Sequence, residues 1–142
     1  MSDEPISQFV ERVFGQSFSG RPPVPFMQLL RAYADEAEVF AGAPLEDEGY
    51  EALWIAGEAV GWLSVEGNDD DAPITGAVSA IASLGPIKLG AEVTDSGLRA
   101  RATPSITLAF SDGTKVQVGS DHHNSVNFIS GLLERLRGVS SR

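Results

Sequence analysis

The stretch that decides the fold is PSITLAFSDGTKVQVG, residues 104–119. Residues 106–110 alternate large apolar with small or polar side chains, which is the period of a half-buried strand. Asp112 and Gly113 predict a tight type I′ turn, in which both central residues take positive φ. The alternation returns at residues 116–118, so we expect a β-hairpin here.

An amphipathic helix is predicted to follow this hairpin and to lie on the sheet. Ser120 or Asp121 can accept hydrogen bonds from its first N–H groups, and Gly138 is a fitting stop. Apolar residues recur at helical spacing and form one stripe. They are Val126, Ile129, Leu132, Leu133 and Leu136.

Two helices and several short strands are predicted before the hairpin. Apolar residues at helical spacing indicate a helix over 5–14 and another over 26–33. From residue 37 the period changes to that of strands, Gly57 predicts a hairpin turn, and residues 74–84 fit either a strand or a short helix. The second helix is expected to turn four apolar residues toward the core. They are Phe26, Leu29, Leu30 and Tyr33.

Counted together, these elements predict an α+β fold. It has two N-terminal helices, about seven strands and a C-terminal capping helix. Strands joined by short turns pair antiparallel, which predicts a bent sheet or a partly open barrel closed by the last helix. We expect one domain, in which residues 1–36 form a helical extension packed on the body formed by residues 37–142.

The composition limits the class of protein. The chain has 142 residues, is 42 % hydrophobic and contains no cysteine, which excludes disulfides and cysteine-based metal sites. The first residues lack the basic and apolar segments of a signal peptide, and no apolar run has the roughly 20 residues that span a bilayer. These features predict a soluble, cytoplasmic protein.

The net charge of −10 is distributed unevenly along the chain. Residues 35–71 contain twelve Asp or Glu and no Lys or Arg, whereas residues 88–142 contain seven Lys or Arg against five Asp or Glu. A surface of this kind repels phosphates, so we expect neither nucleic acid nor an anionic membrane as a partner.

From about residue 38 to 137 the order of strands, turns and final helix resembles the pleckstrin-homology-like (PH-like) domains of bacteria. The closing run ITLAFSDGTKVQV and the following helix are similar to the family's last hairpin and lid. The resemblance implies a barrel of seven strands and a role in binding lipids, peptides or proteins. Phosphoinositide-binding members use a Lys and an Arg on the first two strands, and residues 37–66 contain neither. The resemblance therefore implies a scaffold for protein partners or for self-association, without phosphoinositide binding.

The candidate interaction surface consists of charged side chains in two acidic runs and on one predicted strand. Carboxylates in such runs are also typical of a solvated surface, and Gly67–Asp71 lacks the ligand spacing of a calcium loop. Arg99 and Arg101 project from one face of a strand and could contact a carboxylate. The complete set is Glu46, Asp47, Glu48, Asp69, Asp70, Asp71, Arg99 and Arg101.

The favoured function is a non-catalytic protein-interaction module, and the alternative is a small hydrolase or metal-dependent enzyme. That alternative depends on Asp121, His122 and His123, which are expected at the start of the last helix. Adjacent residues on a helix point about 100° apart and rarely bind one ion. Trp54 and Trp62 fit core packing, or less readily a peptide groove. No catalytic, cofactor-binding or metal-binding set is predicted.

Overall fold

The seven strands form two antiparallel sheets of four and three strands. The structure, a computed structural model, describes residues 5–46, 48–96 and 99–140. The sheets have the orders β1-β2-β3-β4 and β5-β6-β7, so within each sheet the strands follow the order of the chain. The strands of the first sheet are β1 (Val39–Pro44), β2 (Tyr50–Ala56), β3 (Ala59–Val65) and β4 (Ile74–Ala80). Those of the second sheet are β5 (Lys88–Ser96), β6 (Arg99–Ala109) and β7 (Lys115–Val118).

Among the described residues, three α-helices complete the fold: α1 (Ile6–Phe14), α2 (Val24–Tyr33) and α3 (Ser125–Ser140). The predicted α+β class, with about seven antiparallel strands, two N-terminal helices and a C-terminal helix, is therefore confirmed. The strands are divided between two hydrogen-bonded sheets instead of forming one continuous sheet. None of the described helices combines the length and the apolar character that crossing a bilayer requires.

The first sheet is covered on both faces, and each face has its own apolar core. On one face α1 and α2 pack through Phe9, Phe26 and Leu30 against Phe40 and Trp54. The opposite face carries a separate buried cluster that joins the first sheet to the second sheet and to α3. Its large members include Leu53, Ile55, Ile106, Leu108, Phe128 and Leu132. The continuous apolar run Ala52–Ile55 follows from this arrangement, because its alternate side chains enter different cores.

The turn between β6 and β7 differs from the predicted type I′ turn, and that part of the prediction is wrong. Only Gly113 has positive φ, at 93°. Phe110 N–H donates to the Thr114 carbonyl and Gly113 N–H donates to the Phe110 carbonyl, which makes a longer turn. The Asp112 carboxylate accepts the Thr114 N–H at 3.0 Å. This hydrogen bond lowers the pKa of Asp112, because it stabilises the charged form.

The start and end of α3 also differ from the prediction. Ser120 and Asp121 do not cap the helix. They lie in a separate turn, in which His122 N–H donates to the Gly119 carbonyl, several residues before the helix begins. The helix begins at Ser125, after Asn124 in the left-handed region with φ 66°. At the other end it continues past the predicted stop at residue 138.

Three residues that were expected in the core lie at the surface. Val126 is 52 % exposed, because the buried face of α3 is centred on Phe128 and Leu132. On α2, Leu29 is 36 % and Tyr33 61 % exposed, so the predicted apolar stripe is only half covered. Residues 74–84, which fitted either state, form β4 and then a 3₁₀ turn at Ile81–Ser83.

Candidate interaction surface

Two acidic loops meet at one end of the first sheet. The pairs Pro44↔Tyr50 and Val65↔Ile74 end the β1–β2 and β3–β4 ladders at this side. The loops that follow them are therefore neighbours. At their contact, a Cβ on Gly49 would lie 2.2 Å from the Val65 carbonyl oxygen. Only glycine allows this close approach.

These loops present a group of exposed carboxylates, which we call the acidic end. No Lys or Arg occurs between residues 32 and 87, so neither loop supplies a positive charge. The acidic end combines predicted surface residues with Glu66, which was not singled out. Its members are Glu46, Glu48, Glu66, Asp69, Asp70 and Asp71, all exposed. The fold thus concentrates part of the acidic block of the sequence in one place.

Other carboxylates of the same block are bound elsewhere in the structure. At the opposite end of the sheet, Glu38 accepts a hydrogen bond from the Arg135 guanidinium at 2.5 Å. Arg135 Nε also donates to the Gly57 carbonyl at 2.7 Å, which ties α3 to the β2–β3 turn. Sequence position alone does not separate these carboxylates from those of the acidic end.

Three of the predicted surface residues are not assigned to the acidic end. Asp47 lies outside the described residues, and so does the side chain of Arg99. Arg101 is exposed on β6, opposite Thr94 of β5, and therefore belongs to the second sheet. The described members of the predicted set are therefore divided between the acidic end and the second sheet.

His122 takes part in a buried polar network with Glu51 and Trp62. Its Nδ1 accepts the Gly119 N–H at 3.3 Å, which fixes the proton of the neutral ring on Nε2. That Nε2 contacts Glu51 Oε2 at 2.7 Å, and Trp62 Nε1 donates to Glu51 Oε1 at 3.0 Å. The side chains of His122 and Glu51 are only 9 % and 13 % exposed. Both ring nitrogens of His122 make contacts, so the ring is held in place.

Asp121, His122 and His123 do not converge on one site. They precede α3 instead of forming its first turn, as the start of the helix at Ser125 requires. His122 borders a cavity of about 130 Å³ together with Glu92 and Asp121. His123 is instead exposed beside Gly15, and its N–H donates to the Gly42 carbonyl. Among the described residues, no three His, Asp or Glu side chains are arranged to hold a metal ion.

An apolar cleft lies between α2 and β4, and the sequence prediction did not identify it. Its volume is about 350 Å³. Leu29 and Tyr33 form the wall on α2, Gly76 and Val78 the wall on β4, and Trp54 and Leu63 the floor. We call it the α2–β4 cleft. A glycine within an apolar strand, as at residues 61 and 76, was the signal that could have indicated a recess.

The two tryptophans lie on neighbouring strands but on opposite faces of the first sheet. Trp54 pairs with Gly61 and is 3 % exposed in the core under α2, whereas Trp62 pairs with Leu53. Core packing, the favoured prediction, holds for Trp54. Both residues also border the α2–β4 cleft, and a peptide groove stays a prediction.

Comparisons of the chain with models of protein families, with curated proteins and with solved structures return no match.

Proposed function

We propose that the chain is a non-catalytic protein-interaction module whose acidic end binds a basic surface of a partner protein. The observation that carries this proposal is the meeting of two loops with six exposed carboxylates. Clustered carboxylates steer an oppositely charged surface into contact and reject phosphate-bearing partners. The same charge disfavours nucleic acids and anionic membranes.

A PH-like fold is part of this proposal. It is supported by four plus three antiparallel strands in chain order and by a C-terminal helix that packs against both sheets. The phosphate-binding Lys and Arg of phosphoinositide-binding members have no counterpart in residues 37–66. A protein partner therefore fits the scaffold better than a lipid headgroup. The covering of the outer face by α1 and α2 lies outside the resemblance.

Self-association is the second form that this proposal takes. The acidic end of one copy would contact basic residues of the second half of another, such as Lys88, Arg101 and Lys115, which are all exposed. Salt screens contacts between exposed charges. Light scattering should then report a larger mass at about 50 mM than at about 300 mM salt. If the chain is a monomer at both salt concentrations, self-association is contradicted, and binding to a partner protein is the form of the proposal that remains.

The test of the acidic end compares two variants with the same change in net charge. One is Asp69→Asn, Asp70→Asn, Asp71→Asn, and the control is Asp35→Asn, Glu36→Gln, Glu134→Gln. The control residues are exposed and lie outside the acidic end. Each chain is immobilised, and proteins captured from a cell extract are quantified at low salt.

We expect the wild type and the control to capture the same basic protein, and the acidic-end variant to retain about a tenth of it or less. Equal capture by all three chains would contradict the proposal, because the carboxylates of the acidic end would then not contribute to binding. An equal loss in both variants would also contradict it, because net charge alone would then explain binding. Capture of neutral or acidic proteins that does not decrease with salt would also contradict it.

A further inference from the structure

β4 is an open edge of the first sheet. Within the described residues it pairs with β3 alone, since the order of the sheet ends there. The ladder is flanked by hydrogen bonds from Glu66 N–H to the Pro73 carbonyl and from Ile81 N–H to the Glu58 carbonyl. Main-chain groups alternate in direction along an antiparallel strand. The odd-numbered residues of β4 therefore bond to β3, and the even-numbered residues, 74 to 80, direct their N–H and C=O groups outward.

The outward main-chain groups lie along the α2–β4 cleft. Val78 pairs with Gly61 and is 62 % exposed, while Gly76 contributes no side chain. Across the cleft, Tyr33 is 61 % and Leu29 36 % exposed, so the wall on α2 is also open to a ligand. A chain that pairs with β4 would place every second side chain between β4 and α2.

The acidic loop next to this edge determines which kind of chain can bind there. The loop with Asp69, Asp70 and Asp71 leads directly into Ile74, the first residue of β4. A strand added at the edge would pass this loop, and it would need Lys or Arg there to avoid like-charge repulsion. A second copy that paired through its own β4 is a poor occupant, because β4 lies within residues 32–87, which carry no Lys or Arg, and the net charge of the chain is −10.

We propose that β4 and the α2–β4 cleft bind an extended peptide segment of a basic partner protein by strand addition. The segment carries apolar side chains at alternate positions and Lys or Arg at the end beside Asp69–Asp71. Main-chain hydrogen bonds to the even-numbered residues of β4 hold it, and the cleft selects the side chains. This inference rests on the proposed function and assigns the partner segment and the second half of its binding site.

The test uses a displayed library of random peptides of about ten residues, which is long enough to pair along the whole of β4. The wild-type chain selects from it, and the selected peptides are measured by fluorescence anisotropy against three variants. Val78→Pro removes an outward N–H without removing a bond to β3, since proline is tolerated at such edge positions. Val78→Thr keeps the N–H and the shape of the side chain. The third variant is Asp69→Asn, Asp70→Asn, Asp71→Asn.

We expect enrichment of peptides with alternating apolar residues next to Lys or Arg. Val78→Pro should weaken their binding about tenfold or more, and Val78→Thr should bind within about twofold of the wild type. The acidic-end variant should weaken binding as well and should reduce its salt dependence. Unchanged circular dichroism of Val78→Pro shows that the fold is kept.

Other outcomes separate the two proposals. Full binding by Val78→Pro with loss in the acidic-end variant overturns strand addition and leaves the acidic end intact. If Val78→Pro loses peptide binding and the acidic-end variant does not, the proposed function is overturned. The inference that the bound segment is basic is then overturned as well. If no peptide is enriched, the proposal that β4 binds a peptide is overturned. The same follows if the wild type is a dimer and Val78→Pro dissociates it, because the occupant would then be a second copy.

Discussion

Gly61 has the indole of Trp54 directly above its Cα. A Cβ at this position would lie 2.1 Å from Trp54 Cζ2, so the ring would have to leave a site in which it is 3 % exposed. We expect Gly61→Ala to lower the free energy of unfolding by about 1–3 kcal/mol, as overpacking does. Urea unfolding followed by tryptophan fluorescence measures the change.

The matched control is Gly67→Ala. Its Cβ would meet Ala72 Cβ at 3.4 Å, which is an ordinary contact. This variant should remain within about 0.5 kcal/mol of the wild type. Equal destabilisation by the two substitutions would mean that the loss of glycine, and not the position of Trp54, is responsible.

Asp112 provides a pH-dependent contribution to stability. Its pKa lies below the ordinary value of 3.8, chiefly because the carboxylate accepts the Thr114 N–H. A lowered pKa in the folded state stabilises the protein above the unfolded pKa, and this contribution is lost as pH falls through the folded pKa. The difference in unfolding free energy between wild type and Asp112→Asn should be constant above about pH 5 and should change below about pH 4.

Denaturant unfolding across that range, together with an NMR titration of the Asp112 carboxyl group, tests this expectation. A midpoint above 3.8 would contradict it. So would a stability difference between the two chains that is the same at every pH.

At the scale of elements, α3 is tied to the first sheet by Arg135. Its guanidinium donates to the carbonyls of Gly57 and Gly131 and to the carboxylate of Glu38. Because Glu38 is half exposed, the ion pair itself contributes little. We expect Arg135→Met to lower the free energy of unfolding by about 1 kcal/mol, mainly through the lost bond to Gly57.

Arg135→Lys serves as the control, since it keeps the charge but cannot make all three contacts. Its loss of stability in urea unfolding should lie between those of the wild type and Arg135→Met. If Arg135→Met unfolds at the wild-type urea concentration, the contacts to the β2–β3 turn do not stabilise the fold.

The elements themselves could be predicted from the sequence, but several of their ends could not. The spacing of apolar residues in 5–14 and 106–118 predicts α1 and the β6–β7 hairpin, because burial of one face of an element produces that spacing directly. The start of α3 follows Asn124, which adopts a left-handed conformation and makes tertiary contacts. Among these is the hydrogen bond from its side chain to the Phe40 carbonyl. The capping propensity of residues 120 and 121 does not indicate that the helix begins later, at Ser125.

The candidate site was predictable in part for a similar reason. The register of two hairpins places the loops of residues 45–49 and 66–73 at one end, so their carboxylates were expected at a common surface. The pairing of Glu38 with Arg135 and of Glu51 with His122 joins residues more than 70 positions apart. No local pattern encodes such contacts. The α2–β4 cleft likewise depends on how α2 crosses the sheet.

At the scale of the whole molecule, α1 is part of the folded core. Phe9 and Val13 are 1 % and 0 % exposed, and α1 packs against β1. We expect a chain that lacks residues 1–20 to lose cooperative unfolding and its near-ultraviolet circular dichroism, and to bind a hydrophobic dye. The physical reason is that Phe40 and Trp54 would lose part of their cover.

Calorimetry and near-ultraviolet circular dichroism of the truncated chain measure this effect. The substitution Ile6→Ala, at a residue that is 38 % exposed, is the control and should leave the transition near that of the wild type. A truncated chain that unfolds cooperatively, with only its oligomeric state changed, would instead identify residues 1–20 as a docking arm.

The two-sided burial of the first sheet has a consequence for the order of events during biosynthesis. Helices α1 and α2 leave the ribosome before the strands that they cover, so one side of the nascent sheet can be protected early. The other side lacks its full cover until the second sheet and then Phe128 and Leu132 of α3 have emerged. Translation from about residue 65 to residue 132 is therefore the interval in which the nascent chain is most dependent on chaperones.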